Sequence, residues 1–175
     1  AVLTGRSVVG IQAGDINAVV NFLKTRTDVL KEKIGAVTFG EVCPALLHAA
    51  AFNTSINKIA LLNPLISYRS IVMNEIYKVG RIKHRTHNYL INNFSFAVAG
   101  ALTVYDLPDL VGCIAPRKVV LAGLKDQMLE PASTGLVEQE LAFPRRAYSL
   151  KNVSDNLDVL ESYKNIDVII EELLD

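Results

Sequence analysis

The chain has 175 residues, half of them hydrophobic, with a mean hydropathy of +0.28. That length fits a single domain over residues 1–175, large enough to bury about two-thirds of its unfolded surface without help from metals or disulfides. Eighteen basic residues balance eighteen acidic ones with no long run of one sign, which argues against nucleic acid as a partner, because phosphate binding leaves a basic footprint.

Asp15 is placed to cap a helix over residues 15–25, in which Ile16, Val19, Val20, Phe22 and Leu23 follow helical spacing. The polar connector TRTDVLKEK leads into a strand over residues 34–39, opening at Ile34. A tight turn at Gly40 follows, and Pro44, favoured in a first helical turn, starts a second helix that ends near Phe52. INKIALLNP predicts a second buried strand closed by Pro64. Residues 65–105 read as a helical insertion of two or three helices with loops. Asp106 caps a short helix in YDLPDLVGCIAPRK, with a turn at Pro116. KVVLAGL predicts a third strand, ASTGLVEQEL a helix, RRAYSL a fourth strand, and residues 155–174 a closing amphipathic helix.

Strand and helix thus alternate four times, which predicts an α/β fold: a three-layer αβα sandwich with a mostly parallel sheet. In such sheets the loops at the carboxyl ends of the strands carry the chemistry, and Gly40, Asn63, Asp126 and Asn152 fall in or near those loops. A sheet of this kind exposes an apolar edge along residues 34–39, which natural proteins cover. Self-association, or packing against an upstream domain, would supply the cover.

The segments GDINAVVNFLKTRTDVLKEKIGAVTFG and YDLPDLVGCIAPRKVVLAGLKDQMLEP resemble the α/β-hydrolase superfamily, in its acetyl xylan esterase and dienelactone hydrolase-like branch. The second is the more specific, because it joins several features at fixed spacing. The resemblance covers most of residues 5–150 and implies a partial α/β-hydrolase fold, equivalent to the C-terminal half. The family's first strands, and the early loop that donates half of its oxyanion hole, would lie upstream of Ala1. A start at alanine in place of methionine fits a processed chain or a fragment.

The family's nucleophile elbow reads G-x-S-x-G, since its serine sits in a strained turn whose neighbours must be small. The five matching positions are Thr38, Phe39, Gly40, Glu41 and Val42. The resemblance therefore places a glycine, Gly40, in the nucleophile position, and glycine accepts a positive φ without strain. Glu41 follows it, and a carboxylate there opposes a developing oxyanion unless it points away. Asp126 stands where the family has its triad acid, either as its vestige or as an ordinary loop or cap aspartate. The family histidine follows the last strand, and no histidine occurs beyond His87; in its place stands KNVSDNLD, whose asparagine and serine cannot shuttle a proton near neutral pH.

Other candidates are weaker. Cys43 near a helix N-terminus could have a lowered pKa, but His48, five residues on, would point about 140° away from it. The pair His84 and His87 in HRTH has the spacing to begin a metal site but brings no clear third ligand, so no metal or cofactor is assigned. Thr38, Ser67 and Ser133 read as cap or loop hydroxyls. Two cysteines, Cys43 and Cys113, are too few for a disulfide framework and leave the compartment open. The longest apolar runs fall short of the roughly 20 residues that a membrane span requires, and the N-terminus lacks a signal-peptide pattern.

Three functions compete. A degenerate, non-catalytic esterase-like domain serving as a structural or interaction module is favoured by Gly40 and the missing histidine. A carboxylic-ester hydrolase whose nucleophile comes from an upstream part or another chain is favoured by the resemblance. A module binding carbohydrate or another small ligand would use Glu41, Asn63, Asp126 and the HRTH loop as polar lining.

Overall fold

The structure, a computed structural model, describes residues 5–79, 81–83, 90–92, 95–163 and 165–174. Helix α1 (Val8–Thr25) begins about two turns before the expected start, capped by Ser7, whose side chain accepts the Gly10 N–H; Asp15 lies within the helix on its exposed side. Val9, Ala13 and Val20 are buried, and α1 packs on α2 (Cys43–Phe52). Strand β1 (Gly35–Phe39) precedes α2, and β2 (Lys58–Leu62) follows it.

Between β2 and the capped helix α4 (Leu107–Ile114), the expected helical insertion is only partly helical. It contains the four-residue α3 (Arg69–Val72), an antiparallel ribbon of β3 (Arg81–Lys83) with β4 (Leu90–Asn92), and a 3-10 turn over Ala101–Thr103. Asp106 does cap α4, through a reciprocal capping box with Asp109.

Strand β5 (Lys118–Ala122) matches the third predicted strand, and α5 (Thr134–Glu140) the helix after it. The fourth strand differs: RRAYSL lies in α6 (Ala142–Leu150), and β6 is Leu157–Leu160, inside the stretch expected to be helical. Leu141, Pro144 and Tyr148 are buried at helical spacing, which explains why the segment winds. The closing helix, α7, is confined to Ile166–Leu174.

The main sheet is parallel throughout, in the order β1-β2-β5-β6. Strands laid down in one direction by crossovers of one hand put their connecting helices on one face. Accordingly Ile59, Leu61, Val119 and Leu121 join residues of α1, α2, α4 and α6 in the larger core cluster. Ala60, Leu62, Val120 and Ala122 point to the opposite face, against Ile169 and Leu173 of α7. These are the three expected layers. The central strands β2 and β5 are buried on both faces, which is why they read as unbroken apolar runs.

Arg117 locks one end of this core. Its guanidinium donates to the carbonyls of Ala50, Asn53, Ile56 and Ile114, at 2.7, 3.1, 2.6 and 3.3 Å. It thereby donates to carbonyls at the ends of α2 and α4 and, at Ile56, in the loop between α2 and β2. Arg117, from the segment YDLPDLVGCIAPRK, is thus an architectural clamp.

Candidate functional site at the carboxyl edge of the sheet

The strand-turn-helix at β1 is a tight elbow. Extended Phe39 hands over to Gly40 at φ +51°, a 3-10 turn covers Gly40–Val42, and α2 starts at Cys43 with Pro44 in its first turn. The left-handed φ costs a residue with a Cβ roughly 1–2 kcal/mol, so glycine is the unstrained choice. A Cβ built on Gly40 meets nothing within 4 Å, so the position faces open space. Glu41, next in the turn, is exposed.

Asn63 ends β2 in the left-handed region, φ +51°, its N–H bonded to the Ala122 carbonyl. Its amide Nδ2 donates to the Tyr163 hydroxyl at 3.2 Å. Gly123, which ends β5 at φ +69°, lies beneath this pair, and its N–H donates to the Leu160 carbonyl. The carboxyl ends of β2, β5 and β6 are thus joined by Asn63, Gly123 and Tyr163. Tyr163 carries no local signal in the sequence, because its partner is a hundred residues away.

Asp126 follows β5, as expected, and turns back on its own loop. Its Oδ1 accepts the N–H groups of Met128 and Glu130 at 2.7 and 3.0 Å, and its N–H donates to the Glu130 carbonyl. This is the local hydrogen bonding of an aspartate that closes a turn. Asn152 is misplaced by the sequence reading: with β6 at Leu157–Leu160, it lies at the amino end of that strand, away from Gly40 and Asn63. The segment after the last strand is therefore Glu161 to Asn165, which still contains no histidine.

The remaining candidates scatter. Cys43 is buried, with Sγ 3.5 Å from Thr38 Oγ1 and 3.6 Å from the Leu62 carbonyl, and burial pushes its thiol up to about 11, the reverse of activation. His48 faces elsewhere. Its Nδ1 lies 2.6 Å from the Pro44 carbonyl, which can only accept, so Nδ1 carries the proton and Nε2 accepts from the Tyr105 hydroxyl at 2.8 Å. Burial lowers the His48 pKa. Ser133 caps α5 by accepting the Leu136 N–H, and Ser67 Oγ accepts the Ser70 N–H in the turn that leads into α3. Both cysteines are free thiols. His84 and His87 lie outside the described residues, and among those described no three His, Cys, Asp or Glu side chains cluster as metal ligands. No helix among the described residues is long and apolar enough to cross a membrane.

No protein-family model matches the chain, and neither does any curated protein. Solved structures do. A structure provisionally assigned as an acetyl xylan esterase from Bacteroides fragilis superposes with a TM-score of 0.65 at 18% identity, over 89% of this chain and 36% of the other. Two family 15 carbohydrate esterases, the glucuronoyl esterases from Caldicellulosiruptor kristjansonii and Teredinibacter turnerae, give TM-scores of 0.58 and 0.56 at 15% identity. They are matched over 92% and 93% of this chain and 47% and 44% of their own. The chain thus has an esterase-type α/β fold and spans less than half the length of these structures.

Proposed function

We propose that the chain is a degenerate, non-catalytic esterase-like domain that acts as a structural or interaction module. The observation that carries this is Gly40: it occupies the elbow after β1 with the left-handed φ of such a turn, has open space above it, and offers no side chain. An ester hydrolase of this kind needs a nucleophile there and a base beside it. Asp126 spends Oδ1 on its own loop, and no histidine follows β6 in the sequence.

The interaction surface in this proposal is the outer edge of β1. Among the described residues β1 pairs only with β2, and the five residues Gly35–Phe39 include no charge or proline to discourage pairing. The opposite edge strand, β6, carries Asp158, ion-paired to Lys118. Phe39 and Val42 add exposed apolar surface at the carboxyl end of β1. A second copy of the chain, or an upstream domain, is the cover proposed for this edge.

Binding of a carbohydrate or another small polar ligand is the second reading, and the Asn63–Tyr163 pair favours it by presenting an amide and a phenol at the carboxyl edge. The test of the main proposal is hydrolysis of a small acetyl ester by the purified chain and by Gly40→Ser. No turnover above buffer is expected from either, because a serine alone lacks a base to take its proton. Turnover by the unaltered chain would overturn the proposal and favour a carboxylic-ester hydrolase.

A further inference from the structure

A cavity of about 240 Å³ lies in the segment between β2 and α4, walled by Ile71 and Val72 of α3 and by Ala97, Val98, Ala101 and Leu102. It is remote in function from the elbow, since neither Gly40 nor Asp126 lines it. Among the described lining residues, Tyr68 and Thr103 carry hydroxyls, and both are already used. Tyr68 donates to the Phe96 carbonyl at 2.8 Å, and Thr103 Oγ1 donates to the Gly100 carbonyl at 2.7 Å. Among the described residues that line the space, none is charged. The mouth is apolar too, with Val72 69% and Leu102 43% exposed.

We infer that this cavity binds a small, neutral aromatic compound. Size supports the class: an apolar cavity of about 150 Å³ accepts benzene, so this one has room for two fused rings. Wall chemistry supports it as well. The Tyr68 and Phe96 rings, with centroids 6.5 Å apart and planes tilted by 40°, offer aromatic surface to a guest ring. A charged ligand would lose its hydration without gaining a partner, whereas an uncharged ring replaces water against apolar walls.

The test uses 2-naphthol titrated into the full chain by fluorescence, which the absence of tryptophan leaves free of interfering emission. Two variants accompany it: Ala97→Phe, which fills the cavity, and Val72→Glu, which puts a carboxylate at the mouth on an exposed residue that does not hold the fold. Saturable binding by the unaltered chain, weakened about tenfold in Val72→Glu and in folded Ala97→Phe, is the expected result. If Ala97→Phe fails to fold, Val72→Glu decides. Absence of saturable binding, or binding that Val72→Glu leaves unchanged, would overturn the inference.

Discussion

Asn63 occupies the space that any side chain at position 123 would need: a Cβ built on Gly123 falls 2.5 Å from Asn63 Oδ1. The two residues end neighbouring strands, and both have positive φ, so the carboxyl edge of the sheet is closed by a mutual fit. Gly123→Ala combines left-handed strain with that overlap and is expected to cost about 3 kcal/mol in urea unfolding. Asn63→Gly in the same chain relieves the overlap while keeping the backbone turn, and should recover about 1 kcal/mol in a double-mutant cycle.

Arg117 provides a second test of the framework. Removing the guanidinium takes a charged donor from four carbonyls, of which those of Asn53 and Ile114 keep a backbone N–H. Arg117→Met should lower stability by about 3 kcal/mol and the melting temperature by roughly 10 °C. Arg117→Lys should recover little, since one ammonium cannot span carbonyls that the planar fork reaches together. Calorimetry of the two variants measures both effects.

His48 gives the chain a specific dependence on pH. Burial lowers its folded pKa below the ordinary value of 6.5, while the donated Nδ1 proton partly opposes that shift. The unfolded chain therefore binds more protons as pH falls through 6.5, so this contribution to stability is complete above that value and is lost as the pH drops towards the folded pKa. His48→Gln should show a shallower loss of stability than the unaltered chain between about pH 7.5 and 5, read from urea midpoints. Equal slopes would place His48 outside the titration.

Much of this architecture is legible in the residues themselves. The strands β1, β2 and β5 announce themselves as apolar runs, because β2 and β5 are buried on both faces, and Asp106 marks the start of α4 through its capping pattern. The fourth strand is obscured because LDVL is short and carries Asp158, whose charge is answered by Lys118 on the neighbouring strand. RRAYSL misleads because much of its surface is charged and only Tyr148 of its six residues is buried. The first turns of α1 are masked by Gly10 and Gly14, poor helix formers that its packing on α2 overrides. Gly40 and Asp126 can be placed from local order, since each follows a strand. Tyr163 could not be, because its contact with Asn63 is made only when β2 and β6 have taken their places in the sheet.

The most direct test of the central claim is labelling of the purified chain with a serine-directed fluorophosphonate, followed by mass spectrometry of the intact protein and its peptides. With glycine at the elbow and no histidine after β6, the unaltered chain should carry no adduct beyond that of an unfolded control. A stoichiometric adduct on one residue, formed only by the folded chain, would contradict the account, and the labelled position would identify the nucleophile.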